Sequence, residues 1–494
     1  MRERISEPMS DYYKNEIELP TLLDDYDKLF EEELCVQRAY ALMLIKGGII
    51  SKDDGKKIIQ GLDHVKNNLK REDLDIDNED LYFNVQHCLV DDIGIETGGK
   101  LHMGRSRNDI GSTLNRMIVR KSILSITSKL IELQKELLAK AEKEKDVVIT
   151  GYTHTQPAQP TRMGHYYMAV FSALTRDFKR LKAVFDNTNQ CPYGTAASLG
   201  ATFPIDRDLL KELLGFESVL ENSLDCIASK DFLLEAEMAF VNMGITLSRF
   251  AQDLYMWSTY EFGLLEFGGQ VAVCSSIMPQ KKNASGLEYA KSKVGHPIGS
   301  LMSTISTLKN IPFTNCIDIH EALWCYDMGV KETLKILGVV TECLKYSHIN
   351  KEKAYRSASE NYCTVTGLAD CLVKKCGISF DQAHHIVGAM VAETMDTSEG
   401  IKGFGSDLLK TVSEEYLGSA LVLSDEEIKS VLDPYNNVEA KVTFGGPQLN
   451  SVNHMISEGA DALKAEEEWY SDKFEKIRNS YEKIAEEESL IVND

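Results

Sequence analysis

Apolar positions recur three and four residues apart along most of this chain, the spacing of amphipathic helices that bury one face. The first such run extends from about Asp25 to Lys46 and stops at Gly47-Gly48. Ser51-Lys52-Asp53-Asp54 then reads as the cap of a second helix running towards Leu69. A third is predicted from Glu79 to Ile93, closed by the glycine-rich turn Gly94 to Gly99. From Ile110 the scale changes. Ile110 to Glu144, Met163 to Asn187, Asp231 to Tyr260 and Leu287 to Leu308 are long helical stretches with no strand-like alternation between them, which suggests an extended bundle. Only 11 prolines in 494 residues agree with a mostly helical protein. Apolar stripes on several long helices are costly to leave exposed, so the bundle is expected to oligomerise. Beyond Tyr362 the helices shorten, with turns at Gly403-Phe404-Gly405 and Gly445-Gly446-Pro447, and Lys464 to Glu488 reads as a solvated terminal helix. The expected organisation is an N-terminal helical domain over residues 1–109, a central long-helix bundle over 110–361 and a small helical domain over 362–494.

Composition acts mainly by exclusion. A hydrophobic fraction of 43% and a charged fraction of 26% are those of an ordinary soluble globular protein. The formal net charge of −22 disfavours nucleic acid and an anionic membrane as partners. An anionic substrate would need a local basic pocket to overcome that field. Eleven cysteines without CxxC pairs or zinc-ligand spacing fit reduced thiols in a cytoplasmic protein. No apolar leader is visible at the N-terminus, and no apolar run is long enough to span a bilayer.

Three breaks in the helical pattern carry chemistry. Cys274 to Glu288 reads CSSIMPQKKNASGLE, with Pro279 resisting helix and Ala284-Ser285-Gly286 small and flexible. A mobile loop is expected there, leading into a helix near Leu287. It can present a hydroxyl, ammonium groups and a carboxamide to one small anion, which suits holding a carboxylate while a proton moves beside it. Lys100 to Asp109, KLHMGRSRND, places two arginines, a serine and an asparagine just before a long helix, where N–H groups and Arg donors suit a carboxylate. Gly151 to His165, GYTHTQPAQPTRMGH, sets His154 in a Pro-rich break between long helices, well placed for a cleft. Taken singly, a solvated basic loop, a surface basic patch and a structural histidine are the commoner readings of such features.

Taken together, the strings resemble the fumarase/aspartase superfamily, and within it the argininosuccinate lyases. Cys274–Glu288 follows the signature GSSxMPxKxNxxxxE, with Cys274 in place of Gly. Lys100–Asp109 resembles HTGRSRND, with Met103 for Thr, and Gly151–His165 resembles GYTHLQRAQPxxxGH, with Thr155 and Pro157 for Leu and Arg. The resemblance runs from roughly Glu33 to Ile456. It implies an all-α fold of three domains, with a central long-helix bundle forming a tetramer core, and active sites built from the three stretches, each from a different subunit. It implies β-elimination of an N-substituted aspartate, a small dicarboxylate, to fumarate and an amine, with no metal or organic cofactor.

By residue-to-motif transfer the resemblance makes Ser275 the base, activated by loop N–H groups and Lys281. Lys281 and Asn283 stabilise the aci-carboxylate intermediate. Ser106, Asn108 and Thr153 bind the dicarboxylate end, with Arg105 and Arg107 as positive support. His154, oriented by Glu288, serves the leaving amine as acid or through a relay. Gln156, Ser276 and Met278 complete the binding set. The amine side departs from the family: where KGLPxxYNKDxQEDK is usual, Lys309 to Leu323 reads KNIPFTNCIDIHEAL, so Asn315 replaces Tyr, His320 replaces Gln and Leu323 replaces Lys. Near the N-terminus, Val36-Gln37 stands where the family has Gly-Ser. Argininosuccinate, giving arginine, is therefore the first candidate substrate. The alternative is another N-(1,2-dicarboxyethyl) amine, such as an ethylenediamine-disuccinate-like compound. A non-catalytic, crystallin-like role is a third reading, opposed by the intact Ser275, Lys281, Asn283, His154 and Glu288.

Overall fold

The computed structural model describes residues 7–493. Its centre is built from Arg107–Glu144, Met163–Thr188, Asp231–Trp257 and Asp318–Lys345, the first of these 38 residues long. Along Arg107–Glu144 the buried Ile123, Ile126, Leu130, Leu133, Leu137 and Ala141 recur at three- and four-residue steps. They meet Phe171, Leu174 and Phe178 of the second helix, Phe240, Leu247 and Leu254 of the third, and Leu337, Val340 and Leu344 of the fourth. Each fully buried side chain of this size contributes about 1.5–3 kcal/mol, so the bundle core dominates the stability.

Polar ties at the two ends fix the helix directions. At one end the Arg116 guanidinium donates to the Asn187 carbonyl (3.0 Å) and to Ser229 Oγ (2.9 Å). At the other, the Tyr167 hydroxyl donates to Glu144 (3.1 Å), that of Tyr166 to Asp253 (2.7 Å), and Lys140 Nζ to the Ser347 carbonyl (2.7 Å). The first three helices therefore run up, down and up.

Leu19–Lys46, Lys52–Asn68 and Leu81–Ile93 pack around Val36, Tyr40, Leu44, Ile58, Leu62 and Leu89, with Tyr193, Leu210 and Leu213 contributed from between the long helices. The Ser51 cap stands as expected, its side chain accepting from Asp54 N. Val365–Cys376, Phe380–Met395, Ser406–Leu417 and Asp425–Leu432 enclose a third core of Leu368, Ile386, Met390, Leu409 and Ile428. No helix among the described residues is long and apolar enough to cross a membrane.

Four local expectations change. The first helical run begins earlier, at Asp11 capped by Ser10, passes through a π turn over Lys14–Glu18 and continues as Leu19–Lys46. Glu79 lies outside its helix at φ 70°, and Asp80 caps Leu81–Ile93 instead, accepting from Phe83 N (2.9 Å). The stretch Leu287 to Leu308 is two helices, Ser285–Lys293 and Gly295–Leu308, the second opening on Gly295 with Pro297 in its first turn. The supposedly solvated tail is part of a 45-residue helix, Leu449–Asn493. Its buried Ile456, Leu463, Ile477 and Ile484, with half-buried Tyr470, stand at seven-residue intervals and seat it on the bundle and the N-terminal core. A stripe one residue wide is diluted by the charges around it, which is why the tail reads as solvated.

Candidate active site

The Arg-rich stretch becomes a turn that opens the longest bundle helix. Ser106 is the N-cap of Arg107–Glu144: its Oγ accepts from Asn108 N (3.3 Å), while its own N–H donates to Asp109 (2.9 Å). Asp109 is fully buried and its second oxygen accepts from Gly194 N and Ala196 N, both at 3.1 Å. Burial pushes this carboxyl up to about 6, against the pull of those N–H groups. The Asn108 carboxamide donates to the Ala197 carbonyl (2.9 Å) and accepts from Asn315 Nδ2 (3.1 Å). Two of the proposed binding residues, Asn108 and Asn315, thus meet directly although 207 positions apart. The Ser106 hydroxyl proton remains available, at a helix N-terminus that favours an anion.

The two arginines of the turn are already engaged. Arg105 is buried, donates to Gln37 Oε1 (2.5 Å) and the Tyr193 hydroxyl (3.1 Å), and lies 4.7 Å from the Tyr40 ring centre. Arg107 pairs with Asp80 (2.7 Å) and Glu79 (3.2 Å) over the Phe83 ring. His320 is exposed in the first turn of Asp318–Lys345.

His154 sits in a β-hairpin, where no strand was expected. Val148–Thr153 pairs antiparallel with Gln156–Arg162, and Thr153 faces Gln156 across a two-residue turn. Both turn residues, His154 and Thr155, have left-handed backbone, with φ of 52° and 62°. That is the geometry of a two-residue hairpin turn, usually supplied by Asn-Gly, and it costs about 1–2 kcal/mol per non-glycine residue. Such strain is characteristic of positions held for function. The Asn361 carboxamide donates to Thr150 Oγ1 (2.8 Å), and the Tyr152 ring lies 5.8 Å from that of Phe262. His165 bridges Thr161 Oγ1 (3.0 Å) and the Gly445 carbonyl (3.1 Å), pinning the hairpin base. Thr153, His154 and Gln156 project outward, exposed.

The serine loop is closed at its base by backbone pairing of Val273 with Asn283 and of Cys274 with Lys282. Within it, Ser275 Oγ accepts from the backbone N–H groups of Met278 (3.0 Å) and Ile277 (3.3 Å). Two N–H donors on one hydroxyl oxygen favour its alkoxide form. Ser276, Met278 and Lys281 are exposed around it and Asn283 is half-buried. Gly286, read as a flexible residue, is a close-packing one: a Cβ there would lie 2.6 Å from Cys343 Sγ. Glu288 follows in the first turn of Ser285–Lys293 and accepts from the Tyr255 hydroxyl (3.4 Å). Tyr255 and Tyr193 carry no motif signal, so the sequence offers no way to find them as partners of site residues, whereas Gln37, marked in the sequence as a departure from the family's Gly-Ser, becomes the partner of Arg105.

Within one chain these groups fall at two ends. Ser106 and Asn108 open a 38-residue helix, which at 1.5 Å per residue spans roughly 57 Å. The His154 hairpin begins just beyond its other end, and the helix carrying Tyr255, the partner of Glu288, ends there as well. Among the described residues, no hydrogen bond or ion pair joins His154 to Glu288.

The chain matches the family model described as Lyase over residues 7–299, and the one described as Argininosuccinate lyase C-terminal over residues 362–439. It is 36% identical to argininosuccinate lyase of Methanocaldococcus jannaschii over 92% of each chain. It is 37% identical to argininosuccinate lyase 1 of Shouchella clausii over 92% of this chain and 91% of that one. Among solved structures, EDDS lyase in complex with formate superposes with a TM-score of 0.87 at 28% identity, over 97% of this chain and 96% of that one. A fumarate lyase:delta crystallin from Brucella melitensis shares the fold, at a TM-score of 0.67 and 18% identity over 84% of this chain and 90% of that one. The chain belongs to the argininosuccinate lyase family, carbon–nitrogen lyases with the all-α fold of the fumarase/aspartase superfamily.

Proposed function

We propose that the protein cleaves argininosuccinate to fumarate and arginine, with Ser275 as base, in the cytoplasm and as a homotetramer. The observation that carries the mechanism is the Ser275 hydroxyl oxygen accepting two backbone N–H groups in a loop tied at its base by backbone pairing. The chemical difficulty is a weakly acidic proton at Cβ of the succinyl moiety, beside a carboxylate that must take up further negative charge. Ser275, as alkoxide, removes that proton. The Lys281 ammonium and the Asn283 carboxamide hold the charge that develops on the adjacent carboxylate, worth most once the loop closes and water leaves. Collapse of the intermediate breaks the C–N bond, and His154, paired with Glu288, returns a proton to the amine. Ser106, Asn108 and Thr153 hold the dicarboxylate end, with Gln156, Ser276 and Met278 around it, and Asn315 and His320 facing the amine. Arg105 braces the Ser106 turn from behind, and Arg107 adds positive field beside its acidic partners.

This assignment requires more than one chain, because roughly 57 Å separates the two ends of the Arg107–Glu144 helix. Antiparallel association of a copy's bundle brings the Ser106 end of one chain beside the His154 and Ser275 end of another. Exposed Met238 and Ile245, Ile298 and Met302, and Trp324 and Met328 on three adjacent helices supply the apolar surface for that contact. The same reading divides the chain at residues 109 and 361, with the last helix returning to the bundle.

Relatives named argininosuccinate lyases, at 36–37% identity, favour argininosuccinate over an ethylenediamine-disuccinate-like substrate, for which the likeness is 28%. Fumarate release from a panel of N-substituted aspartates tests the choice. Turnover of argininosuccinate well above that of the diamine compound is expected. Fumarate from the diamine compound alone would overturn the substrate assignment and leave the reaction class standing.

A further inference from the structure

Behind the Ser106 turn lies a hydrogen-bonded chain that the mechanism leaves unused. Glu33 and Gln37, one helical turn apart on Leu19–Lys46, are each 1% exposed. Gln37 Nε2 donates to Glu33 Oε1 (2.5 Å), and Gln37 Oε1 accepts from the Arg105 guanidinium (2.5 Å). Arg105 is covalently next to Ser106, and its second terminal nitrogen donates to the Tyr193 hydroxyl, while its buried Nε–H has no hydrogen-bond partner among the described residues. Because a carboxamide presents a donor on one side and an acceptor on the other, Gln37 ties an anion to a cation without neutralising either. Fully buried polar chains of this kind are rigid and sensitive to a single charge.

We propose that Glu33 is a positioning residue for the Ser106–Asn108 carboxylate turn, acting through Gln37 and Arg105, and that loss of its proton weakens binding of the dicarboxylate substrate. The inference rests on the reading that this turn binds the dicarboxylate. Charge counting gives the direction. The Arg105 cation and the ionised Asp109 anion offset one another on either side of Ser106. An ionised Glu33 adds a negative charge with no cation of its own. Burial pushes Glu33 up to about 7, opposed by the Gln37 bond and Arg105 and reinforced by Asp80 and Asp25. The groups facing it are Arg105 from the turn, Asp80 and Tyr82 from the start of Leu81–Ile93, and Asp25 from its own helix. The transition therefore falls in the working range of pH, and affinity declines as pH rises through it. For two unit charges about 10 Å apart, at an effective dielectric constant of about 20 to 40, Coulomb's law gives a change in affinity of about four- to fifteenfold.

Calorimetric binding of fumarate to the intact protein between pH 6 and 8.5, with the KM for argininosuccinate alongside, tests this. Wild type is expected to lose fumarate affinity by that factor as pH rises, Glu33→Gln to bind with little change, and Asp25→Asn to keep the wild-type slope. The KM should follow affinity while the pH dependence of kcat is shared by wild type and Glu33→Gln. A slope that survives in Glu33→Gln, or disappears in Asp25→Asn alone, overturns the proposal while lyase activity stands. Wild type that neither releases nor binds fumarate would remove the lyase reading and this inference together. Should Glu33→Gln fail to fold, buffers of different ionisation enthalpy report proton uptake as wild type binds fumarate near pH 7. Uptake supports the proposal, and its absence contradicts it.

Discussion

Gly286 shows how closely single atoms constrain the helix that follows the serine loop. It is buried at the start of the helix that carries Glu288, and the Cys343 sulfur occupies the space a side chain would need. The Gly286→Ala methyl would sit 2.6 Å from that sulfur, and overpacking of this kind costs about 1–3 kcal/mol. The variant is expected to unfold at lower denaturant concentration than wild type and to lose turnover more than substrate affinity, because Ser285–Lys293 must shift and take Glu288 with it. Unchanged unfolding and unchanged kcat would show that the contact relaxes freely. At the same scale, the role proposed for Ser275 rests on the two N–H groups on its oxygen rather than on its own acidity. Thr155 holds a left-handed conformation that its β-branched side chain disfavours, which fixes the adjacent His154.

At the scale of elements, legibility tracked periodicity. The long helices were readable because Ile123, Ile126, Leu130 and Leu133 and their counterparts repeat at helical spacing over many turns. The motif residues were readable because they interrupt that pattern. The hairpin around His154 was not, since its turn lacks the Asn-Gly pair that announces such a geometry and prolines occupy its second strand. Nor were the pairing beneath the serine loop, only two residues on each side, or the heptad stripe on the last helix. Partners such as Tyr255 for Glu288 and Tyr193 for Arg105 depend on tertiary packing and leave no trace in local pattern. The bundle also buries a charge-capable group. Glu237, 1% exposed within Asp231–Trp257, is pushed up to about 7 by burial, with Thr304 pulling the other way. Its folded value lies above the unfolded one, so the native state holds the extra proton, and the contribution of this group to stability is greatest at low pH and declines as pH rises from about 4.5 through 7. That decline amounts to about 3 kcal/mol per chain. Glu237→Gln should remove that component, so denaturant midpoints of variant and wild type diverge between pH 5 and 8. Parallel curves would place the ionisation elsewhere.

At the scale of the molecule, the two groups of proposed site residues stand at opposite ends of one bundle. On the proposed assignment, a chain that carries Ser106 and Asn108 at one end and His154, Ser275 and Glu288 at the other completes no site by itself. Assembly is part of catalysis in that assignment, and the exposed Met238, Ile245, Met302 and Trp324 offer the apolar surface for it. Co-expression of Asn108→Leu with Ser275→Ala chains, followed by assay of fumarate release from argininosuccinate, tests this account most directly. Each variant alone should lose about 10²- to 10⁴-fold in kcat/KM. Mixed tetramers should recover about a quarter of wild-type activity, from sites that draw an intact Ser275 from one chain and an intact Asn108 from another. Mixed assemblies as inactive as either parent, or full activity in Ser275→Ala alone, would contradict it.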